Sequence, residues 1–147
     1  LITNGSSAEL TNYLDKRTGG AVSGDVGVLG AFTGGTDSTA DGKNTFAYGN
    51  AVSATGNNSQ AFGNKTYANG YCSFACGDSV SATNSEAFAI GWKTIASGTY
   101  AFAGGESSKA TAAKTFAFGT NVSATTSESF AIGYNNEASN QFAFAGG

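Results

Sequence analysis

The sequence predicts an all-β protein, a parallel β-roll (β-solenoid) wound in 14-residue coils and preceded by a short helix and strand. Three observations carry this. Gly recurs every 14 residues without a slip, at Gly35, Gly49, Gly63, Gly77, Gly91, Gly105, Gly119, Gly133 and Gly147. Two places before it stands Ala in every coil but the first, which has Thr33, and three places before it stands Phe in every coil but one, which has Gln60. A period of 14 is too short for helical solenoids, whose units run to ~30 residues or more. The Gly-, Ser- and Thr-rich phrases with Phe, Ile, Val and Tyr also suit strand better than helix.

Taken in order, residues 1–30 are expected to form a connector. Ser6-x-x-Glu9 can make a capping box, and Leu10, Tyr13 and Leu14 would line one face of a short helix. The run LDKRTGGAVSGDVGVLG follows, ending in a strand. Residues 31–147 form the roll, with two strands of about five residues and two tight bends in each coil. The first strand is placed at the slots of Thr45 to Gly49 and the second at those of Val52 to Gly56. Gly49 and Gly56 mark the bends, where Gly tolerates positive φ and close backbone approach. The second bend is looser, because Asn84, Ala112, Thr126 and Asn140 stand there in place of Gly.

Alternation along a strand assigns the faces. The slots of Thr45, Ala47 and Gly49 share one side, and the first of them is always small: Ala31, Thr45, Ser59, Ser73, Ala87, Ala101, Thr115, Ser129 and Ala143. That side lines the inside of a flattened coil, joined by the slots of Val52 and Ala54. The outer side of the second strand carries Ser53, Tyr67, Ser81, Ile95, Lys109, Ser123 and Glu137, a solvent face. The outer side of the first carries Phe32, Phe46, Phe74, Phe88, Phe102, Phe116, Phe130 and Phe144, beside Tyr48, Phe62, Cys76, Ile90, Phe118 and Ile132. Eight coils at ~4.8 Å span about 38 Å, and each Phe buries ~150–250 Å². Such a stripe exceeds the few hundred Å² of apolar patch that a soluble monomer exposes. Identical stripes meeting around an axis would cover it. The geometry of one chain leaves open whether two chains meet or three.

The phrase from Ala89 through Ile90, Gly91, Ala96, Gly98, Ala101 and Ala103 to Gly105 resembles the head repeats of trimeric autotransporter adhesins, the YadA-like family. The resemblance covers residues 31–147 and recurs in register. It implies a left-handed parallel β-roll, a homotrimer of identical chains packed on a threefold axis, and attachment to a surface. Phe stands where Val or Ile is common in that family, which implies a bulkier axial core of Phe32, Phe46, Phe74, Phe88, Phe102, Phe116, Phe130, Phe144, Ile90, Phe118 and Ile132. Gln60 interrupts that core as a polar ring. In residues 14–30, a Leu-x-Lys segment, a Gly pair and Gly-x-Val-x-Val before a further Gly resemble short segments of tailed-phage tail fibres.

Several functions are excluded or disfavoured by composition. The net charge is −3, which offers no basic patch for phosphates, so no nucleic-acid partner is expected. No apolar run approaches the ~20 residues of a membrane span, and no membrane insertion is expected of this segment. The chain has no Met, so residue 1 is expected to follow a processed or missing start. With no His, neither a Ser-His-Asp nor a Cys-His arrangement exists, and zinc would lack ligands beyond Cys72 and Cys76. Those two, four residues apart on an extended segment, are ~13 Å apart at Cα, too far for a disulfide, and read as small buried or half-buried hydrophobes. The carboxylates Asp78, Glu86, Glu106, Glu128 and Glu137 are scattered over bends. No catalytic residue, metal or cofactor is expected.

The binding candidates are Trp92, the only Trp, and Tyr134 in the same slot three coils later. An aromatic ring at an exposed bend can stack on a sugar or anchor a protein contact; the competing role is to cover a neighbouring chain or coil. Tyr67, Tyr71 and Tyr100 are weaker candidates. Lys65, Lys93, Lys109 and Lys114 read as solvating charges that discourage sideways aggregation. The whole reads as a non-enzymatic, extracellular fibre protein that attaches to a host cell-surface glycan or protein receptor. The leading setting is the tail fibre of a phage or phage-like contractile particle. The alternatives are the head of a bacterial trimeric autotransporter adhesin and a purely structural spacer of a longer fibre.

Overall fold

A computed structural model describes residues 30–147. The expected connector helix and strand, and the segment similar to tail fibres, lie outside the described residues, apart from Gly30. Two parallel sheets face each other, one of nine strands and one of eight, and successive coils are neighbours in both. Register advances by one period per coil: Phe88 pairs with Phe102, Ala89 with Ala103 and Gly91 with Gly105. The fold is a parallel β-solenoid of about eight turns.

The long strands run one residue later than expected, for example Phe46–Asn50 and Phe88–Trp92. The short strands correct the sequence reading more strongly. They hold two residues, as in Ser53–Ala54 and Ile95–Ala96, rather than about five. The reason lies in the bends. Every seventh residue from Asp37 to Phe142 adopts a left-handed conformation with φ between 50° and 62°, and none of these is Gly. Each takes up chain length that a longer second strand would need. The left-handed geometry costs roughly 1–2 kcal/mol per L-residue. It is offset by the bond it permits, because the bend amide turns along the solenoid axis and donates to the coil before. Lys65 N–H donates to Asn50 O at 2.9 Å, and Cys72 N–H donates to Asn57 O at 2.9 Å.

The two Gly columns therefore do different work. Gly49 and its equivalents have φ between +99° and +147°. The Cβ of any other residue at Gly49 would lie 1.9 Å from Gly63 O. Gly56 has no positive φ and is not the turning residue; it is small because a Cβ there would lie 2.0 Å from Gly70 O.

The interior is as thin as expected. Ala47, Ala61, Ala75, Ala89, Ala103, Ala117 and Ala131 are fully buried, opposite Ala54, Ala68, Ala82, Ala96, Ala110 and Ala124. The largest fully buried side chains are Val52, Val80 and Val122. Their column otherwise holds Ser, Thr or Asn, which donate to the Gly carbonyl of the next coil: Ser38 to Gly49 at 3.0 Å, Thr66 to Gly77 at 3.1 Å, Ser108 to Gly119 at 2.9 Å and Asn136 to Gly147 at 2.8 Å. Thr94 shares the column, yet its buried hydroxyl has no partner. An unsatisfied buried hydroxyl costs free energy, whereas a satisfied one contributes on the order of 1 kcal/mol. Thr94→Val is thus expected to raise the stability by about 1 kcal/mol, and Thr66→Val to lower it by a similar amount. Chemical denaturation of both variants checks the opposite signs.

Candidate functional site: the aromatic face and the bends

Alternation places the Phe column on the outer side of the nine-stranded sheet, and parallel register sets each ring above the last. Phe74–Phe88, Phe88–Phe102, Phe102–Phe116 and Phe116–Phe130 stack with centroids 4.8, 5.1, 4.7 and 4.5 Å apart. These spacings follow the strand separation, so the stack comes directly from the repeat. Phe32–Phe46 and Phe130–Phe144 continue it at 4.6 and 5.3 Å.

At Gln60 the ladder does not break. Phe62, from the neighbouring column, swings in and lies 5.1 Å from Phe46 and 5.9 Å from Phe74. Gln60 itself is exposed, and the face is indented beside it by a cavity of about 720 Å³ lined by Gly30, Phe32, Asn44, Thr45, Phe46, Gln60 and Phe62. The substitution Phe to Gln at 60 was legible in the sequence; its replacement by Phe62 depends on a diagonal reach that no single column reveals.

The second outer column is left largely uncovered. Tyr48, Ile90, Phe118 and Ile132 are exposed, while Cys76 is half-buried. Phe118 lies over Gly104, where a Cβ would meet its ring at 2.7 Å. Rings therefore fill the gaps left by Gly in this column and keep the face continuous. In an isolated chain, this two-column apolar stripe has water against its outer side.

The remaining candidates lie at strand ends and bends: Trp92 and Tyr134, expected at bends, are instead the last residues of the long strands Phe88–Trp92 and Phe130–Tyr134. Trp92 and Tyr134 are exposed, at 43% and 68%. They lie on one edge of the solenoid but do not meet, because Glu106 and Thr120 occupy the two rungs between them. Lys93 Nζ sits 4.1 Å from the Trp92 ring centroid, a cation–π contact. Lys114 pairs with Glu128 of the next coil at 3.3 Å. These two lysines are therefore engaged, beyond the solvating role expected of them. Cys72 corrects the expectation of a buried or half-buried thiol: it occupies a left-handed bend and is exposed. Phe142 was not singled out by sequence reasoning, although it sits in the same bend column as Tyr100 and is more exposed, at 72%.

Upstream on the Trp92 edge, Asn50 donates to Asn64 at 2.9 Å and Asn64 donates to Asp78 at 2.9 Å. Ser79 donates to the other Asp78 oxygen at 2.6 Å. The Ser79 and Asn64 hydrogen bonds hold the Asp78 carboxyl below its usual range, helped by the charges of Lys65 and Lys93. An acceptor-only carboxylate is a natural end for an amide ladder whose donors all point the same way. On the outer side of the eight-stranded sheet, Lys65, Tyr67, Ser79, Ser81, Thr83 and Ile95 line a notch of about 330 Å³. Among the described residues, no three His, Cys, Asp or Glu side chains cluster as metal ligands would.

No curated protein matches the chain. Residues 54–78, 82–105 and 96–121 match the YadA head domain repeat. The coils that match this repeat include the middle of the aromatic ladder, from Phe74 to Phe116.

Proposed function

We propose that this chain is part of a non-enzymatic, homotrimeric fibre protein that attaches to a cell surface, its three solenoids packed with their Phe faces on a common axis. One observation carries the proposal: a continuous ladder of rings on the outer side of one sheet, stacked at every step but the tilted Phe62–Phe74 pair, beside a column of exposed Tyr, Ile and Phe, with an interior of Ala too thin to stabilise the coil alone. At ~25 cal/mol per Å², covering that stripe is the largest stabilising term the chain has left. The repeat type supports three chains rather than two, and an extracellular, surface-exposed location.

Two settings remain in play, each with its own support. The YadA head repeats favour the head of a bacterial surface adhesin. The Leu-x-Lys, Gly-pair and Gly-x-Val-x-Val pattern of residues 14–30 favours the tail fibre of a phage or phage-like particle. In either setting the receptor is a cell-surface glycan or protein, met by the outer edges of the coils, where Trp92 and Tyr134 are exposed.

Sedimentation equilibrium of the chain in native buffer tests the assembly. A mass of three chains is expected. A folded monomer with its rings in water overturns the proposal, and a stable dimer overturns the threefold packing.

A further inference from the structure

Tyr67, Ser81 and Ile95 are direct cross-strand neighbours in three successive coils of the eight-stranded sheet. Ser81 is short and its neighbours are long, so a notch opens over the middle coil. The walls stand two coils apart, about 10 Å at the usual strand spacing. Its volume of about 330 Å³ lies at the lower end for small-ligand sites, ~300–1,000 Å³.

We infer that this notch binds a single saccharide ring bearing a carboxylate, with one ring face on Tyr67 and the carboxylate toward Lys65. A sugar ring has apolar C–H faces and a polar rim, and the notch matches both. Tyr67 and Ile95 offer apolar surfaces above and below. The rim would meet the hydroxyls of Ser79, Ser81 and Thr83. The Ser79 proton is already given to Asp78 at 2.6 Å, which leaves the Ser79 oxygen lone pairs to accept from a sugar hydroxyl. Ser81 and Thr83 can donate or accept.

The charge favours one negative group. Lys65 lines the notch. Lys93 occupies the same bend column two coils on, and both lysines act on the Asp78 carboxylate. Lys93 is held on the Trp92 ring, so Lys65 is the ammonium group that lines the notch itself. Asn64 and Ser79 satisfy Asp78, so Lys65 is not its only partner. The notch also lies on the sheet opposite the Phe ladder, and the proposed trimer leaves it open.

This inference deepens the attachment reading by naming a receptor class. The two fail separately, since assembly is read from mass and the notch from ligand titration. The experiment is saturation-transfer difference NMR on the intact protein with sialyllactose and a glucuronide as acidic probes and lactose as the neutral one. Saturable transfer from at least one acidic probe, and none from lactose, is expected. Ser81→Phe, whose side chain fills the notch from the outer face, is expected to abolish transfer at unchanged oligomer mass. Tyr67→Ala removes a wall without adding bulk and is expected to do the same. Lys65→Gln should weaken the acidic probe about tenfold, the effect of 1.4 kcal/mol. No transfer from either acidic probe, equal transfer from lactose, or unchanged transfer in both Ser81→Phe and Tyr67→Ala overturns the inference.

Discussion

Phe102→Ser is expected to dissolve the assembly at denaturant concentrations where the parent chain remains associated. The Phe102 ring lies between Phe88 at 5.1 Å and Phe116 at 4.7 Å, so its removal breaks the ladder in the middle. Truncating a buried Phe typically costs ~3–5 kcal/mol, and in a symmetric trimer every chain loses it at once. The hydroxyl adds a penalty of its own, since a dry axis offers it no partner. The paired control is Ser123→Phe. Ser123 is in a short strand, Ser123–Ala124, on the outer side of the eight-stranded sheet, away from the ladder. It should leave assembly almost unchanged despite adding an exposed ring. Light scattering during denaturation distinguishes the two variants, and equal oligomer stability would contradict the face assignment.

Gly91→Ala is expected to be comparably severe, through the backbone rather than through packing. Gly91 has φ +126°, and its Cβ would lie 2.0 Å from Gly105 O. A carbonyl in the sheet ladder cannot move aside without breaking the pairing of the next coil. Such strain falls in the class of single changes that cost ~4 kcal/mol or more. Gly98→Asn is the informative contrast. Its column already holds Asn84 and Asn140, so the coil has a known way to admit that side chain. A smaller loss than at Gly91 is expected there, because Gly98 has no positive φ, although its ideal Cβ would lie 1.8 Å from Ala112 O, closer than the 2.0 Å at Gly91. Thermal melts of the two variants decide the matter. Similar midpoints would mean that crowding alone, and not positive φ, sets the requirement at Gly91.

The bends show where reading one dimension of the chain stops short. Gly49 and Gly56 stand out as punctuation and predict turns at their own positions. The turns instead fall two residues later, on Ala51 and Asn58, at φ 52° and 59°. Nothing in Ala51, Lys65 or Lys93 marks a left-handed residue, because the conformation is held by a hydrogen bond to the coil before and not by local preference. The same cause shortens the second strand. Phe62 is a similar case: its columnar slot is clear from the sequence, but its entry into the ladder beside Gln60 depends on the space that Gln60 leaves. The notch at Ser81 was hidden for a related reason, since its six residues come from three coils and become neighbours only when the coils stack.

By itself, the sequence determined the period, the parallel stacking, the Ala interior and the outward Phe column. A strict 14-residue repeat brings like residues together in every coil, so each column is a sum of small identical preferences. Tertiary structure alone decided the turning residues, the two-residue second strand, the continuity of the ring stack and the shape of the outer surface. Those features depend on contacts between different slots of adjacent coils, where one side chain moves into the space another has left.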